Sequence, residues 1–152
     1  MESTNQKIFP KRKNNILQIF IDSSAFKAVF DFSDEFHNEA AVFWNESAKK
    51  QRKFLTTNFI LDETLTLIRS HMGKEASLQL LNDIVVSTQQ IQIIRITVAY
   101  EKDALDLFKK LPGRGISFTD CESFAVMRQL KISNAFTFDR DFSSAGFKTF
   151  PK

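Results

Sequence analysis

Ile16-Leu17-Gln18-Ile19-Phe20-Ile21-Asp22-Ser23-Ser24-Ala25-Phe26 is the stretch on which the fold turns. A short, almost continuous apolar run meets an acid and then small polar residues. Such a run reads as a strand buried on both faces, the kind found in parallel sheets. The expected strand is Ile16 to Ile21, and Asp22 follows its last residue. In an open α/β sheet the C-terminal ends of the strands share one edge, where ligands bind. The same grammar returns late in the chain, where Ala135 to Phe138 reads as a strand ending at Asp139.

Between and after these strands the pattern alternates. Ser24 to Phe30 reads as helix. A second helix is expected from Ser33, as N-cap with Asp34 and Glu35 in its first turn, burying Phe36, Ala40, Phe43 and Trp44 at helical spacing. Lys53 to Thr57 is a short strand. Asn58 is read as the cap of a helix to about His71, with Gly73 as its stop. Lys74 to Val86 is helical, and Ile91 to Ile96 is a β-branched strand. Val98 to Leu111 is an amphipathic helix with Ala104, Leu107, Phe108 and Leu111 on one face, ended by Pro112-Gly113. A last helix runs from Asp120 to Lys131, with Thr119 or Asp120 near its cap, and Lys148 to Phe150 reads as an edge strand. Strands separated by helices predict a three-layer α/β/α sandwich around a central, mostly parallel sheet.

Size and composition set bounds. At 152 residues, 43% hydrophobic and 26% charged, the chain fits one soluble globular domain. Residues 15–152 are read as that domain and residues 1–14 as a flexible, polar lead-in that could also serve as an RNA-contacting arm. Seventeen Phe against one Trp and one Tyr point to a Phe-packed core, with base stacking reserved for rings that prove exposed. A net charge of +3 is weak support for a nucleic-acid partner. One cysteine, Cys121, excludes an internal disulfide framework, fits a reducing cytoplasm, and beside an acid reads as inert core. Two distant histidines, His37 and His71, argue against a zinc site. No apolar run is long enough to span a membrane, and no secretory signal opens the chain.

Four acids fall at element junctions: Asp22, Glu63, Asp120 and Asp139. Each has a structural reading. Asp22 and Asp120 can cap helices, Asp139 can hold a turn, and Glu63 can pair with Lys or Arg. The helix carrying Glu63 is apolar most of the way round, so it is expected to be buried on two sides. Together the four form a set suited to a hard divalent cation.

Three segments carry a family resemblance. Ile19-Phe20-Ile21-Asp22-Ser23-Ser24-Ala25-Phe26, Ser117-Phe118-Thr119-Asp120-Cys121-Glu122-Ser123-Phe124 and Phe136-Thr137-Phe138-Asp139-Arg140-Asp141-Phe142 resemble the signature segments of PIN-domain nucleases. The VapC-like ribonuclease toxins of type II toxin–antitoxin systems are the most similar subgroup. The likeness runs from about Asn15 to Phe150, and the last two segments are the specific ones. It implies that Asp22, Glu63, Asp120 and Asp139 are catalytic metal ligands for Mg²⁺ or Mn²⁺. Ser24 and Thr119 fall where the family has supporting hydroxyls, and Asp141 is a second candidate for the fourth acid. The implied activity is in-line hydrolysis of single-stranded or loop RNA, leaving a 5′-phosphate and a 3′-hydroxyl.

Basic groups must then hold the strand beside the acids. Arg114, in a Gly-flanked loop, and Arg140 are the leading candidates. Lys49, Lys50, Arg52, Lys53, Lys109 and Lys110 are helix-end residues with a plain solvated alternative. The resemblance also implies a small antitoxin as partner, on apolar surface around Phe26, Phe30, Phe32, Phe36 and Phe43, and a homodimer. The rival function is a PIN-like RNA- or protein-binding module without catalysis. A haloacid-dehalogenase-type phosphatase would need a second Asp where Ser24 stands. A receiver domain would need an acidic pair and a strand-end lysine, and a flap nuclease would need a longer chain.

Overall fold

The computed structural model describes residues 17–86 and 90–152, so the expected lead-in lies outside the described residues. The elements in chain order are β1 (Gln18–Ile21), α1 (Ser23–Phe30), α2 (His37–Lys49), β2 (Lys53–Thr57), α3 (Asn58–Met72), α4 (Lys74–Val86), β3 (Ile91–Ile94), α5 (Val98–Lys110), α6 (Phe118–Gln129), β4 (Asn134–Phe136), α7 (Arg140–Ser144) and β5 (Lys148–Phe150). The five strands form one sheet in the order β3-β2-β1-β4-β5, and every pairing is parallel. The apolar run that ends at Asp22 is the central strand: Ile19, Phe20 and Ile21 are fully buried.

Strand register sorts the aromatic residues onto two faces. Ile19 pairs with Phe54, Ile21 with Phe136, and Phe136 with Phe150, so these side chains share one face. Helix α2 covers it: Phe43 packs on Phe136 and Phe150, and Trp44 stacks on Phe54. Phe20 points the other way. It meets Phe142 of α7, which packs in turn on Phe124 of α6. Helices on both sides of the sheet make the three-layer sandwich expected. The Phe-packed core is likewise borne out, with Phe20, Phe124, Phe136 and Phe142 among the largest fully buried side chains. Among the described residues no helix is long and apolar enough to cross a membrane.

Several element ends differ from expectation. Helix α2 begins at His37, not near Ser33, because Asp31 and Asp34 capture the backbone first. Asp31 accepts from the Ser33 amide at 2.9 Å and Asp34 from the Phe36 amide at 2.9 Å. Such local side-chain bonds compete with helix. Lys27 bridges both acids. Thr57, not Asn58, caps α3, accepting from the Ile60 amide at 3.1 Å. Asn58 instead accepts from the Ile96 amide at 2.8 Å, beyond the end of β3. Helix α6 is capped by Ser117, ahead of Thr119 and Asp120. Phe108 is 52% exposed rather than packed with Ala104 and Leu107. The five-residue α7 was not anticipated; it is too short to show a helical period.

Crossover direction reverses between β1 and β4. The chain moves from β1 through β2 to β3, then returns to the far side of β1 for β4 and β5. A crevice opens at the C-terminal ends of strands flanking such a switch point. Asp22 leaves β1 there, and Asp139 follows β4.

The two aromatic layers should differ from surface rings in stability. Phe136→Ala is expected to cost about 3–5 kcal/mol, whereas Phe32→Ala, at 84% exposure, should cost less than about 1 kcal/mol. Urea unfolding at unchanged m-value checks both.

Candidate active site

Asp22 is 3% exposed and sits at the N-cap of α1. Three donors converge on its Oδ2: the Ser24 hydroxyl at 2.8 Å, the Thr137 hydroxyl at 3.0 Å and the Ser24 amide at 3.4 Å. Burial still dominates and pushes its pKa up against these bonds, with the Glu63 charge adding a smaller upward push. The same hydroxyls tie the β1 end to the β4 end. Ser24 Oγ accepts from the Phe138 amide at 3.0 Å, and Thr137 Oγ1 accepts from the Asp139 amide at 3.0 Å.

Asp120 arrives from α6. It forms a reciprocal cap with Ser117: Ser117 Oγ accepts from the Asp120 amide at 3.0 Å, and Asp120 Oδ2 accepts from the Ser117 amide at 2.9 Å. Burial, with the charges of Asp139 and Asp22, raises its pKa to about 6. Asp139 caps α7 by accepting from the Asp141 amide at 2.9 Å. Asp141 is shifted upward too, by burial and by the Asp139 charge.

Three carboxylates meet. Asp120, Asp139 and Asp141 each offer an oxygen within 4.8 Å of the others. Asp22 and Glu63 lie outside that group but remain coupled to it, since Asp22 raises Asp120 and Glu63 raises Asp22. Both candidates for the last acid are therefore in the cluster. Glu63 departs from expectation: it is exposed, and α3 buries one face through Ile60, Thr64 and Ile68 rather than two.

Thr137 and Ser117 were the residues missed. Ser117-Phe118-Thr119-Asp120 carries a capping-box spacing that could have revealed the second. Thr119 is half-buried, and its carbonyl accepts from Ser123 Oγ at 3.1 Å. Cys121 is buried, and desolvation with the adjacent acids raises its thiol, as expected of inert core.

The basic candidates separate by position. A Cβ added at Gly115 would lie 3.7 Å from Asp141 Oδ2, so the loop bearing Arg114 closes on the acids. Arg140 is the first residue of α7, between Asp139 and Asp141, and is exposed. Lys49 to Lys53 lie at the start of β2, whereas Asp22 follows the end of its parallel neighbour, so that cluster stands at the opposite edge of the sheet. Arg52 there donates to Ser47 Oγ at 3.2 Å and lies over the Phe43 ring. Of the rings proposed for an antitoxin, Phe26 and Phe43 are core. Phe30 and Phe32 line an open groove with Met72 and Ala76.

Residues 19–148 match the PIN domain family. The chain belongs to that family. It is 36% identical over 129 residues to the 23S rRNA-specific endonuclease VapC20 of Mycobacterium tuberculosis, covering 85% of this chain and 95% of that protein. It is 30% identical over 125 residues to a VapC ribonuclease of Archaeoglobus fulgidus, covering 81% and 78%. The crystal structure of M. tuberculosis VapC20, a Sarcin-Ricin loop cleaving toxin, superposes with a TM-score of 0.76 at 33% identity, over 85% of this chain and 95% of that one. Rickettsia felis VapBC2, bound to a promoter DNA fragment, shares the fold at a TM-score of 0.61, 11% identity and coverage of 88% and 98%. The expected VapC-like PIN resemblance is thus borne out.

Two predictions follow from the charges. Asp120 has an ordinary pKa of 3.8 and a folded one of about 6, so the native state holds its proton more tightly. Its contribution to stability is complete below about 4 and lost as pH rises through about 6. In metal-free protein Asp120→Asn should remove that slope and stabilise the fold at neutral pH by roughly 1–3 kcal/mol. Denaturant melts across this pH range measure it. Thr137→Val removes one of the donors that orient Asp22 and should weaken divalent-cation affinity about 10- to 100-fold, read by calorimetry.

Proposed function

We propose that this PIN-family chain is a metal-dependent endoribonuclease that cuts single-stranded or loop RNA, the toxin of a toxin–antitoxin pair. Residues 15–152 serve as its nuclease domain. The observation that carries the reading is the meeting of Asp120, Asp139 and Asp141 within 4.8 Å, beside buried Asp22, at the sheet's switch point. The donor set fits a hard cation: it is all oxygen and anionic, and burial, with neighbouring charges, raises Asp120 and Asp141. Mg²⁺ or Mn²⁺ would be the natural occupant, and Asp120, Asp139 and Asp141 would hold it with Asp22 and Glu63 alongside. When bound, such an ion supplies Lewis acidity and lowers the pKa of water.

The protein's own groups do the rest. Ser24 and Thr137 spend their donors on Asp22 Oδ2, which fixes that carboxylate's orientation. The Ser117 cap fixes Asp120. Arg114 and Arg140 flank the acids and offset their repulsion of RNA phosphate. Water attacks phosphorus in line with the departing O3′, which leaves as a hydroxyl and keeps the 5′-phosphate on the other fragment.

Relatives suggest what to try. VapC20 is a 23S rRNA-specific endonuclease, so a ribosomal RNA loop is the first substrate to test. A small antitoxin is proposed to cover the groove beside Phe30 and Phe32, and the active form is proposed to be a homodimer.

Purified protein with ribosomal RNA should cut in Mg²⁺ or Mn²⁺ and stop in EDTA. Asp120→Asn should lower the rate by at least about a hundredfold. Metal-independent cutting, or cutting that survives Asp120→Asn, would falsify the site. Arg114→Ala should weaken RNA binding and flatten its salt dependence, with the metal affinity unchanged.

A further inference from the structure

Phe138 immediately precedes Asp139, and its ring is stacked on Phe36 with centroids 4.6 Å apart and planes 11° from parallel. Phe36 is 36% exposed. Phe138 packs edge-on against Phe136 of the core, centroids 6.2 Å apart, and so anchors the more exposed Phe36 at the end of β4. The backbone of both residues is also anchored. The Phe138 amide donates to Ser24 Oγ, the hydroxyl that itself donates to Asp22. The Phe36 amide donates to Asp34 Oδ1, and Asp34 is tied to Lys27 of α1. Phe138 is thereby tied through Ser24 to Asp22, and Phe36 stacks on Phe138.

We propose that Phe36, backed by Phe138, is a stacking platform for a nucleobase next to the scissile phosphate. The inference rests on the ribonuclease reading and adds a positioning residue to it. Every base has a π-face, so stacking grips an unpaired nucleotide whatever its identity, and it requires that the base be out of a helix. The platform would select loops and single strands by that requirement. Phosphate contacts alone make no such distinction.

The test uses the full chain. In Phe36→Trp the new indole is followed by fluorescence against the parent, whose sole tryptophan is Trp44. A single-stranded RNA should quench it, and the matching abasic ribose–phosphate strand should not. Phe36→Ala should weaken RNA binding about five- to a hundredfold, raise KM more than it lowers kcat, and be rescued by Phe36→Tyr. Unchanged emission together with parental affinity in Phe36→Ala would overturn the platform and leave the ring pair to a protein partner. Cleavage is scored apart. Quenching without metal-dependent cutting would sink the nuclease reading alone. Cutting indifferent to Phe36→Ala would sink the platform alone.

Discussion

The pairing of β1 with β4 governs this molecule. In the register Ile21 to Phe136, the two strands stop at the same level and send Asp22 and Asp139 into one crevice. Two hydroxyls then lock the junction: Ser24 donates to the buried Asp22 carboxylate and accepts from the Phe138 amide after β4, while Thr137 donates across to Asp22 and accepts from the Asp139 amide of its own strand end. Burial of like charges is unfavourable, and a sheet tolerates it where flanking layers are strong. Here the rings of Phe20, Phe142 and Phe124 on one side, and Phe43 and Phe136 on the other, supply that strength.

Much of the fold was legible because buried parallel strands leave a plain trace. All five strands of the sheet and the positions of six helices can be read from apolar runs, β-branched residues and stops such as Gly73, whose φ of 93° few other residues accept. Element starts were harder. Asp31 and Asp34 have the composition of a helix N-terminus, yet spend their side chains on tight turns. Asn58 looks like a cap but reaches across to the chain after β3, a contact that sequence proximity cannot reveal.

The site was legible in part for a similar reason. Acids at element ends announce themselves by position, which is how Asp22, Asp120 and Asp139 were singled out. Asp141 looked like an alternative to Asp139 because a two-residue step is ambiguous until α7 curls both side chains toward Asp120. Thr137 was hidden in an apolar run just past the end of β4, where a hydroxyl resembles a β-branched filler. Glu63 was misjudged in its surroundings, since the apolar residues near it in sequence do not enclose it in space.

The reciprocal cap between Ser117 and Asp120 has a consequence for reading genomes. One carboxylate serves both as a helix brace and as a member of the acid cluster. A natural variant that lost the Ser117 hydroxyl would keep every acid in its sequence while uncapping the first turn of α6, on which Asp120 stands. Counting acids would score that allele as intact. An inventory of working copies among relatives of this chain therefore has to read the hydroxyls at positions 117, 24 and 137 alongside the carboxylates.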